Sequence, residues 1–458
     1  MNYFYFFLLL FLAAILLVKP IAFRILNAIN DAESLKTIGY ITLLLGPICL
    51  AFSLQNAYWY ETMWRLVTFI LGILLILRGL FIIFFEETFK KVLHLYQNNY
   101  WKFSIPFATM LVYLALIIIS RDYLGPIKDI EECISDDYVN VVCNFHNPED
   151  MVVTPDEKFI LVSELGGISP FGDHNVATFF RLMDLESKKT MIPNISYGEA
   201  EWGTEDCSRL SGEKFNLHGI DILERADGRF QIGAVNHFPR ESIEMFELLN
   251  IGNSWAVKWK GCIPSDPDIY LNDITFKKDG TFYTTYMFDR SITWNKWLLA
   301  ALLKVSTGHV KYWDGTSYSV LKKSKGGQPN GIALDEENNL LYIAYNQSDE
   351  IRAYDLIKQK NVKSRFVQGI DNITLSKDSV WVTEFNSQVG DDSVNCLELV
   401  ACSLPFSIIE LNKKDLIKKN TYSFSKVNFG LPTVALPVEK EVYIGSFHSD
   451  RIAYFLTN

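Results

Sequence analysis

Residues 328–346 read QPNGIALDEENNLLYIAYN, and this stretch is the best guide to the fold. Two short apolar runs, 332–334 and 340–345, flank the polar segment 335–339, which is the pattern of a β-hairpin. An Asn-Gly pair, Asn330-Gly331, stands ahead of the first strand rather than between the strands. Taken alone, the pair is an ordinary turn signal. Its significance comes from the recurrence of the pattern along the chain.

The same order of polar residue, short strand, polar turn and second strand occurs six times. The copies begin at PEDMVV (148–153), LHGIDI (217–222), LNDITF (271–276), PNGIAL (329–334), IDNITL (370–375) and LPTVAL (431–436). Their polar residues follow one another after 69, 54, 58, 41 and 62 residues. A repeat of roughly 40–60 residues with several strands per unit indicates a β-propeller. We therefore predict an all-β six-bladed propeller whose uneven steps reflect loop insertions.

The residues that begin these strands form a second pattern. In chain order they are Glu149, His218, Asn272, Asn330, Asp371 with Asn372, and Thr433. The innermost strands of a propeller line its central channel, so these side chains are expected to form a ring at one mouth. Carboxylate and amide oxygens in this number suit Ca²⁺, which takes about 6–8 oxygen ligands, whereas zinc prefers His and Cys in smaller number. Each residue taken alone would be interpreted as a turn or cap residue, but the ring as a whole predicts a calcium site.

The first quarter of the chain has a different composition. Residues 1–123 carry 9 Lys and Arg against 6 Asp and Glu, whereas residues 124–458 carry 34 against 47. Four apolar segments, 3–23, 38–58, 63–85 and 104–120, are each about long enough to cross a ~30 Å hydrocarbon core. We expect an α-helical transmembrane region of about four helices in 1–123 and the propeller in 124–458. The acidic second part argues against nucleic-acid binding, which requires basic surface.

Basic residues predict the orientation in the membrane. They flank the first and third connections between the apolar segments, as Lys19, Arg24, Lys36, Lys90, Lys91 and Lys102. By the positive-inside rule these connections are cytoplasmic. Four crossings then place the propeller on the extracytoplasmic side.

The cysteines are consistent with that location. Six of the seven cysteines follow residue 124, and an even number in an exported domain suggests disulfides. We expect the close pairs Cys133/Cys143 and Cys396/Cys402 to be bonded.

The ordered set ED (149–150), HGI (218–220), VNH (235–237), LNDI (271–274), NGI (330–332), DNI (371–373) and IGSFH (444–448) resembles the paraoxonase/arylesterase family. The resemblance covers about residues 145–458. It implies a six-bladed propeller with two calcium ions in its channel, and hydrolysis of lactones and aryl esters. It implies a catalytic calcium held by Glu149, Asn272, Asn330, Asp371 and Asn372. It also implies a deeper, structural calcium held by Asp150, Asp273 and the backbone carbonyl of Ile220, and it pairs His218 with His237.

The residues themselves suggest a mechanism and leave its base open. A calcium-bound ester carbonyl is polarised, and the charge of the tetrahedral intermediate is stabilised. His218 could activate the attacking water as general base, with His237 orienting it or relaying the proton. Asp371 is an alternative base or nucleophile.

Several features depart from the family or leave alternatives. The chain ends FLTN without the family's terminal cysteine, and Phe385 stands where the family has a further histidine. The insertion SITWNKWLLAALLKVSTG (291–308) predicts a short apolar helix, either packed on the propeller or acting as a lid or membrane contact. A membrane-proximal pocket would favour small hydrophobic esters or lactones.

Two other functions are open. One is a catalytically inactive, calcium-stabilised propeller that binds other membrane proteins. The other is a transporter built on the helices, for which Arg78 is the only deeply placed ionisable residue.

Overall fold

The computed structural model describes residues 2–29, 32–54, 63–119, 130, 132–170, 172–173, 175–205, 207–386 and 400–457. The chain divides into two compact units, residues 1–124 and 125–458. The first unit is helical. Its helices are α1 (Asn2–Leu17), α2 (Lys19–Ile29), α3 (Ala32–Ser53), α4 (Met63–Phe84), α5 (Glu86–Asn98) and α6 (Tyr100–Ile119).

Two of these helices are long and apolar enough to cross a membrane. They are α3 over Leu35–Ser53 and α4 over Leu66–Phe84. The helices α1 and α2 are bent by 92° and form a third candidate only if the pair is one broken span. The chain breaks there because Pro20 has no backbone N–H and so cannot continue the hydrogen bonding of α1.

Within the described residues there are therefore two or three candidate spans rather than the predicted four. The fourth apolar segment forms a shorter apolar helix, Tyr100–Leu116, within α6. Since each span reverses the side of the membrane, the extracytoplasmic location of the propeller no longer follows from counting spans.

Glycines let α3 and α4 approach closely. Gly39 and Gly46 in α3, and Gly72 and Gly79 in α4, are each seven residues apart and therefore lie on one face of their helix. A Cβ atom on Gly46 would lie 2.8 Å from the carbonyl oxygen of Gly72, and one on Gly79 would lie 2.9 Å from that of Gly39. Small residues of this kind are typical of tightly packed membrane helices.

The second unit is a β-propeller of six sheets. Blades 1 to 3 each run outward from the channel as an antiparallel meander, and blade 2 gains an outer parallel strand, β6. Blade 1 contains β2 (Pro148–Val153), β3 (Phe159–Glu164), β4 (Phe180–Asp184) and β5 (Thr190–Met191). Blade 2 contains β7 (Leu217–Glu224), β8 (Phe230–Asn236), β9 (Ser242–Asn250), β10 (Trp255–Pro264) and β6 (Ile195–Tyr197). Blade 3 contains β11 (Ile269–Phe276), β12 (Phe282–Asp289), β13 (His309–Trp313) and β14 (Tyr318–Val320).

Blades 4 to 6 have the same plan. Blade 4 contains β15 (Pro329–Asp335), β16 (Leu340–Tyr345), β17 (Glu350–Asp355) and β18 (Lys360–Phe366). Blade 5 contains β19 (Ile373–Leu375), β20 (Ser379–Phe385), β21 (Phe406–Asn412) and β22 (Lys418–Phe424). Blade 6 contains β23 (Pro432–Val438), β24 (Glu441–Ser446), β25 (Arg451–Leu456) and, from the other end of the domain, β1 (Asn140–Cys143). Each innermost strand contacts the next, and β23 contacts β2, so the ring is closed. The six predicted hairpins are the two inner strands of the six blades.

The core lies between the blades. Six buried apolar clusters each join two successive blades, including the sixth with the first. A blade is therefore covered on both faces, which is why strands such as β3 (FILVSE) read as continuous apolar runs rather than alternating ones.

The ring closes through hydrogen bonds between the two ends of the domain. Strand β1 pairs antiparallel with β25 and completes the last blade. Arg451 is fully buried, and its guanidinium donates to the carbonyl oxygens of Ile130 and Glu132 at 2.8 and 2.9 Å. The predicted disulfide Cys133–Cys143 is present beside this closure, and a second disulfide joins Cys207 to Cys262. Cys402 is also disulfide-bonded, but its predicted partner, Cys396, lies outside the described residues.

The apolar insertion forms helix α7 (Trp294–Leu303) between β12 and β13, as predicted. Trp297 is buried in a cluster that includes Leu165 of the first blade, Tyr270 of the third and Phe447 after the last strand of the sixth hairpin. The indole N–H of Trp297 donates to Gln328 at 2.8 Å. The helix is thus packed on the propeller, while Leu299 and Leu303 remain exposed.

Candidate functional site

Local irregularities of the innermost strands place the predicted ring residues. In β2, β7, β11, β15 and β23 the antiparallel register shifts at the start of the strand, across the ring residue, and in the fifth blade β19 begins only after Asn372. Bulges of this kind interrupt the pleat and redirect side chains. At the register shifts, the side chains of the ring residues therefore do not follow the alternating directions of the side chains in the rest of each strand.

Glycine is needed beside two of the ring positions. A Cβ atom on Gly331 would lie 2.4 Å from the Cα atom of Asn372 in the next blade, and one on Gly219 would lie 2.5 Å from a carboxylate oxygen of Asp273. The Asn-Gly and His-Gly pairs ahead of the strands are thus explained by close approach of neighbouring blades rather than by a hairpin turn.

The structure brings the predicted site residues together inside the channel. They are Glu149, Asp150, His218, Ile220, His237, Asn272, Asp273, Asn330, Asp371 and Asn372, and none is more than 7% exposed. Nδ2 of Asn372 donates to Oε1 of Glu149 at 2.8 Å, across the gap between blades 5 and 1. Nε2 of His218 lies 3.5 Å from the same oxygen and 3.3 Å from Nδ2 of Asn272. Asn330 is hydrogen-bonded to Asp371.

A deeper layer of carboxylates is held by backbone amides. Asp150 accepts from the N–H of Ile220 at 2.8 Å, and Asp273 accepts from the N–H of Ile332 at 2.8 Å. Each carboxylate therefore links its own blade to the next one. Thr433, the sixth ring residue, donates to the carbonyl oxygen of Glu149 at 2.5 Å and supplies no carboxylate or amide.

The channel concentrates negative charge without a cationic side chain. Burial and then the charge of Glu149 raise the pKa of Asp150 and of Asp371 well above the ordinary range of a carboxyl group. Burial and then the charge of Asp150 raise the pKa of Asp273 likewise. In the described part of the chain, no ion pair joins a Lys or Arg to any of these four carboxylates, and the side chains that contact the Glu149 carboxylate are His218 and Asn372. Buried carboxylates are costly unless something compensates their charge.

Among the described residues, four buried side-chain oxygens of the ring also lack a hydrogen-bond partner. They are Oε2 of Glu149 and the Oδ1 atoms of Asn272, Asn330 and Asn372. Buried polar atoms are almost always satisfied in folded proteins, so four in one ring require an explanation. Within the described residues, no group of three or more His, Cys, Asp or Glu side chains is placed to hold a metal ion. The predicted ring is a different kind of donor set, since three of its five members are amides.

The two predicted histidines are in contact. Nδ1 of His218 lies 2.8 Å from Nε2 of His237, and the rings meet edge to face. His218 belongs to β7, and His237 follows the end of β8, so one hairpin carries both. His237 is completely buried, whereas Nε2 of His218 faces Glu149 and Asn272 in the ring.

Sequence reasoning missed the residues around His237. Nδ1 of His237 lies 3.0 Å from both carboxylate oxygens of Glu241, and Nη1 of Arg290 lies 3.2 Å from Oε2 of Glu241. Tyr270 packs edge to face on His237. The only sequence signal for Glu241 is its position four residues after His237, whereas Arg290 reaches the group from another blade.

In comparisons with known proteins, residues 146–398 match the arylesterase family. Among solved structures, a luciferin-regenerating enzyme is similar over 69% of this chain and 93% of its own, with 12% identity and a TM-score of 0.43. A periplasmic gluconolactonase of Pseudomonas aeruginosa is similar over 68% and 82%, with 10% identity and a TM-score of 0.37. The PQQ domain of a pyranose dehydrogenase from Coprinopsis cinerea is similar over 70% and 98%, with 10% identity and a TM-score of 0.43. No curated protein matches the chain.

The structural similarities are too distant to say anything about activity. The family match, in contrast, covers more than half of the chain and includes all ten residues of the predicted site. This chain therefore belongs to the arylesterase family.

Proposed function

We propose that this protein is a membrane-anchored, calcium-dependent hydrolase of lactones or aryl esters. The observation that carries the proposal is the position of the unsatisfied oxygens of Glu149 and Asn272 beside Nε2 of His218. Metal-assisted ester hydrolysis needs two components: oxygen atoms that can bind the metal ion, and a group such as histidine that can accept and release a proton.

The donor set fits calcium. The upper ring offers two carboxylates and three amides, as Glu149, Asp371, Asn272, Asn330 and Asn372, and Ca²⁺ prefers oxygen ligands of this kind. A second ion held by Asp150, Asp273 and the carbonyl of Ile220 would offset the charge of the deeper carboxylates. When bound in the upper ring, calcium would supply polarisation of the ester carbonyl and stabilisation of the negative charge that develops on its oxygen.

The chain's own groups would handle the proton. Nε2 of His218 would accept a proton from the attacking water, and the contact with His237 would hold the imidazole in place. Asp371 is the competing candidate for this role, because it is buried in the same ring. The two candidates differ in their partners: His218 contacts His237, whereas Asp371 contacts Asn330.

Two features support a hydrophobic substrate and an extracytoplasmic location. The apolar cluster of α7 contains Met287, which accepts a hydrogen bond from Asn272 of the ring, so the helix lies beside the site. The disulfides Cys133–Cys143 and Cys207–Cys262 are typical of an oxidising compartment. The helices α3 and α4 would provide the membrane anchor.

The test is hydrolysis of a panel of lactones and aryl esters by the purified full chain, with calcium and after chelation, at matched folded fraction. We expect calcium-dependent turnover that falls by about 10²–10⁴-fold in His218→Gln. The corresponding loss in Asp371→Asn with full activity in His218→Gln would assign the base to Asp371 instead.

Absence of turnover in the whole panel would contradict the proposal. If calcium still raised the melting temperature, the propeller would be a calcium-stabilised interaction module, and the search for function would move to its membrane partners.

A further inference from the structure

The carboxylate of Glu241 is buried behind the histidine pair, on the side away from the ring of Glu149 and Asn272. Glu241 is 1% exposed and lies in the turn between β8 and β9. Its carboxylate accepts the backbone N–H of Leu271 at 2.7 Å and contacts the guanidinium of Arg290 at 3.2 Å. Both groups are donors, and they offset the cost of burial and hold Glu241 as an acceptor.

This arrangement determines where the protons of both histidines lie. Nδ1 of His237 faces two oxygens of an acceptor carboxylate, so it must carry hydrogen and donate. In a neutral His237 the other nitrogen, Nε2, is then a lone-pair acceptor. Nδ1 of His218 faces that lone pair at 2.8 Å and must in turn donate. Nε2 of His218 is left as the unprotonated nitrogen, and it faces the ring.

We propose that Glu241 is a positioning residue that sets the tautomers of His237 and His218, so that the nitrogen of His218 facing the ring is the one able to accept a proton. Arg290 keeps Glu241 in this role. It contacts the carboxylate, donates to the carbonyl oxygen of His237 at 3.4 Å, and stacks on Tyr270, which packs on the His237 ring. The inference rests on the proposed function for its consequence, but the tautomers themselves do not depend on activity.

Blade 2 offers a matched control. Glu244 lies three residues further along the chain, is also completely buried, and is also paired with an arginine, Arg209, at 2.9 Å. Its carboxylate also accepts hydrogen bonds from Ser242 and Trp259, neither of which is a histidine. Glu241→Gln and Glu244→Gln therefore remove the same charge from similar surroundings, and only the first touches the histidine pair.

The experiment is magic-angle-spinning NMR of the full chain labelled with ¹⁵N-histidine, in lipid and in the presence of calcium, with His218 and His237 assigned by single His→Gln variants. We expect hydrogen on Nδ1 of both rings in the wild type and in Glu244→Gln. In Glu241→Gln the amide can donate to Nδ1 of His237, so we expect the opposite tautomer to appear in both rings.

Kinetics provide the second readout. We expect kcat of Glu241→Gln to fall by about a hundredfold or more while KM changes by less than about threefold, because Glu241 is buried behind His237. Glu241→Asp retains the charge and should recover part of kcat. A change confined to stability would indicate a merely structural role and would overturn the proposal.

Two outcomes separate this inference from the proposed function. Wild-type protein with an unprotonated Nδ1 on His237 would overturn the tautomer assignment, even if every variant failed to fold. A tautomer change in Glu241→Gln without hydrolysis of any ester would support the positioning role and would count only against the proposed activity.

Discussion

Two regions of the propeller bury carboxylates and compensate their charge in different ways. In blade 2, Glu241 and Glu244 are each paired with an arginine, Arg290 and Arg209. In the channel, the buried carboxylates have no Lys or Arg partner among the described ion pairs. They are Glu149, Asp150, Asp273 and Asp371. The first region is electrostatically complete within the chain, whereas the second requires either protonation or an external cation.

The comparison distinguishes buried carboxylates that have a counter-charge within the chain from buried carboxylates that do not. A carboxylate that the fold needs brings its counter-charge with it, as Glu244 does through two hydrogen bonds from Arg209 at 2.9 Å. The carboxylate of Glu149 is instead surrounded by groups whose oxygens lack partners among the described residues: Asn372 donates to Glu149, and its own Oδ1 accepts no hydrogen bond there.

The largest expected effect on stability comes from removing an arginine that is paired with a buried carboxylate in blade 2. Arg209→Met should destabilise the protein by about 3–5 kcal/mol, because it leaves the carboxylate of Glu244 buried without its partner. Thermal unfolding with and without calcium is the measurement. The loss should be the same in both conditions, and rescue of Arg209→Met by calcium would show that the two regions are not independent.

Calcium removal should have the next largest effect for each site, and only in the channel. At a free calcium concentration about a hundredfold above Kd, binding stabilises the folded state by about 2.7 kcal/mol per site. Chelation should therefore lower the melting temperature, and added calcium should restore it. Magnesium is the control, because it prefers a smaller and more rigid octahedral site. An unchanged melting temperature after complete chelation would remove the basis for the calcium sites.

Substitution of a single ring residue should reduce both the calcium affinity and the stability of the protein. Asn330→Ala and Asp371→Ala should each weaken calcium binding by about tenfold or more, equivalent to about 1.4 kcal/mol, as measured by calorimetric titration. Asn361→Ala, on β18 of the same blade as Asn330, is the control and should bind calcium normally. Normal affinity in both ring variants would exclude the channel assignment.

The smallest expected effect concerns His309, a histidine that lies near lysines rather than near carboxylates. Burial and then the charges of Lys311 and Lys325 lower the pKa of His309 to about 4. His309 is thus neutral in the folded protein where it would be charged in the unfolded chain, so the unfolded state binds more protons between pH 4 and its ordinary pKa of about 6.5. Stability should rise with pH across this window.

His309→Gln should flatten this part of the stability profile. The gain relative to wild type should be on the order of 1 kcal/mol at pH 5, because solvent still reaches part of the ring, and it should vanish above pH 7. Thermal unfolding from pH 4 to 8 measures it. A gain that persisted at pH 8 would point to packing rather than to the imidazole charge.

The sequence by itself determined the six repeats and the ring of polar residues. Both follow from local rules: each hairpin alternates apolar runs with polar turns, and each strand begins with the same class of residue. The helix α7 and the disulfide Cys133–Cys143 were predictable for the same reason, since their signals lie within about 20 residues of the chain. The number of membrane spans was not, because hydropathy reveals neither that the apolar helix of the fourth segment is as short as Tyr100–Leu116 nor that the chain turns by 92° after α1.

Only the tertiary structure decided how the site is completed. Arg290 reaches Glu241 across a blade interface, Arg451 joins the two ends of the domain, and a Cβ atom on Gly331 would collide with the next blade. Such contacts join residues that are distant in the chain, and no local pattern encodes them. The physical reason is that a propeller builds its channel from six separate strands, so the charge and hydrogen bonding of each site residue are set by its neighbours in other blades.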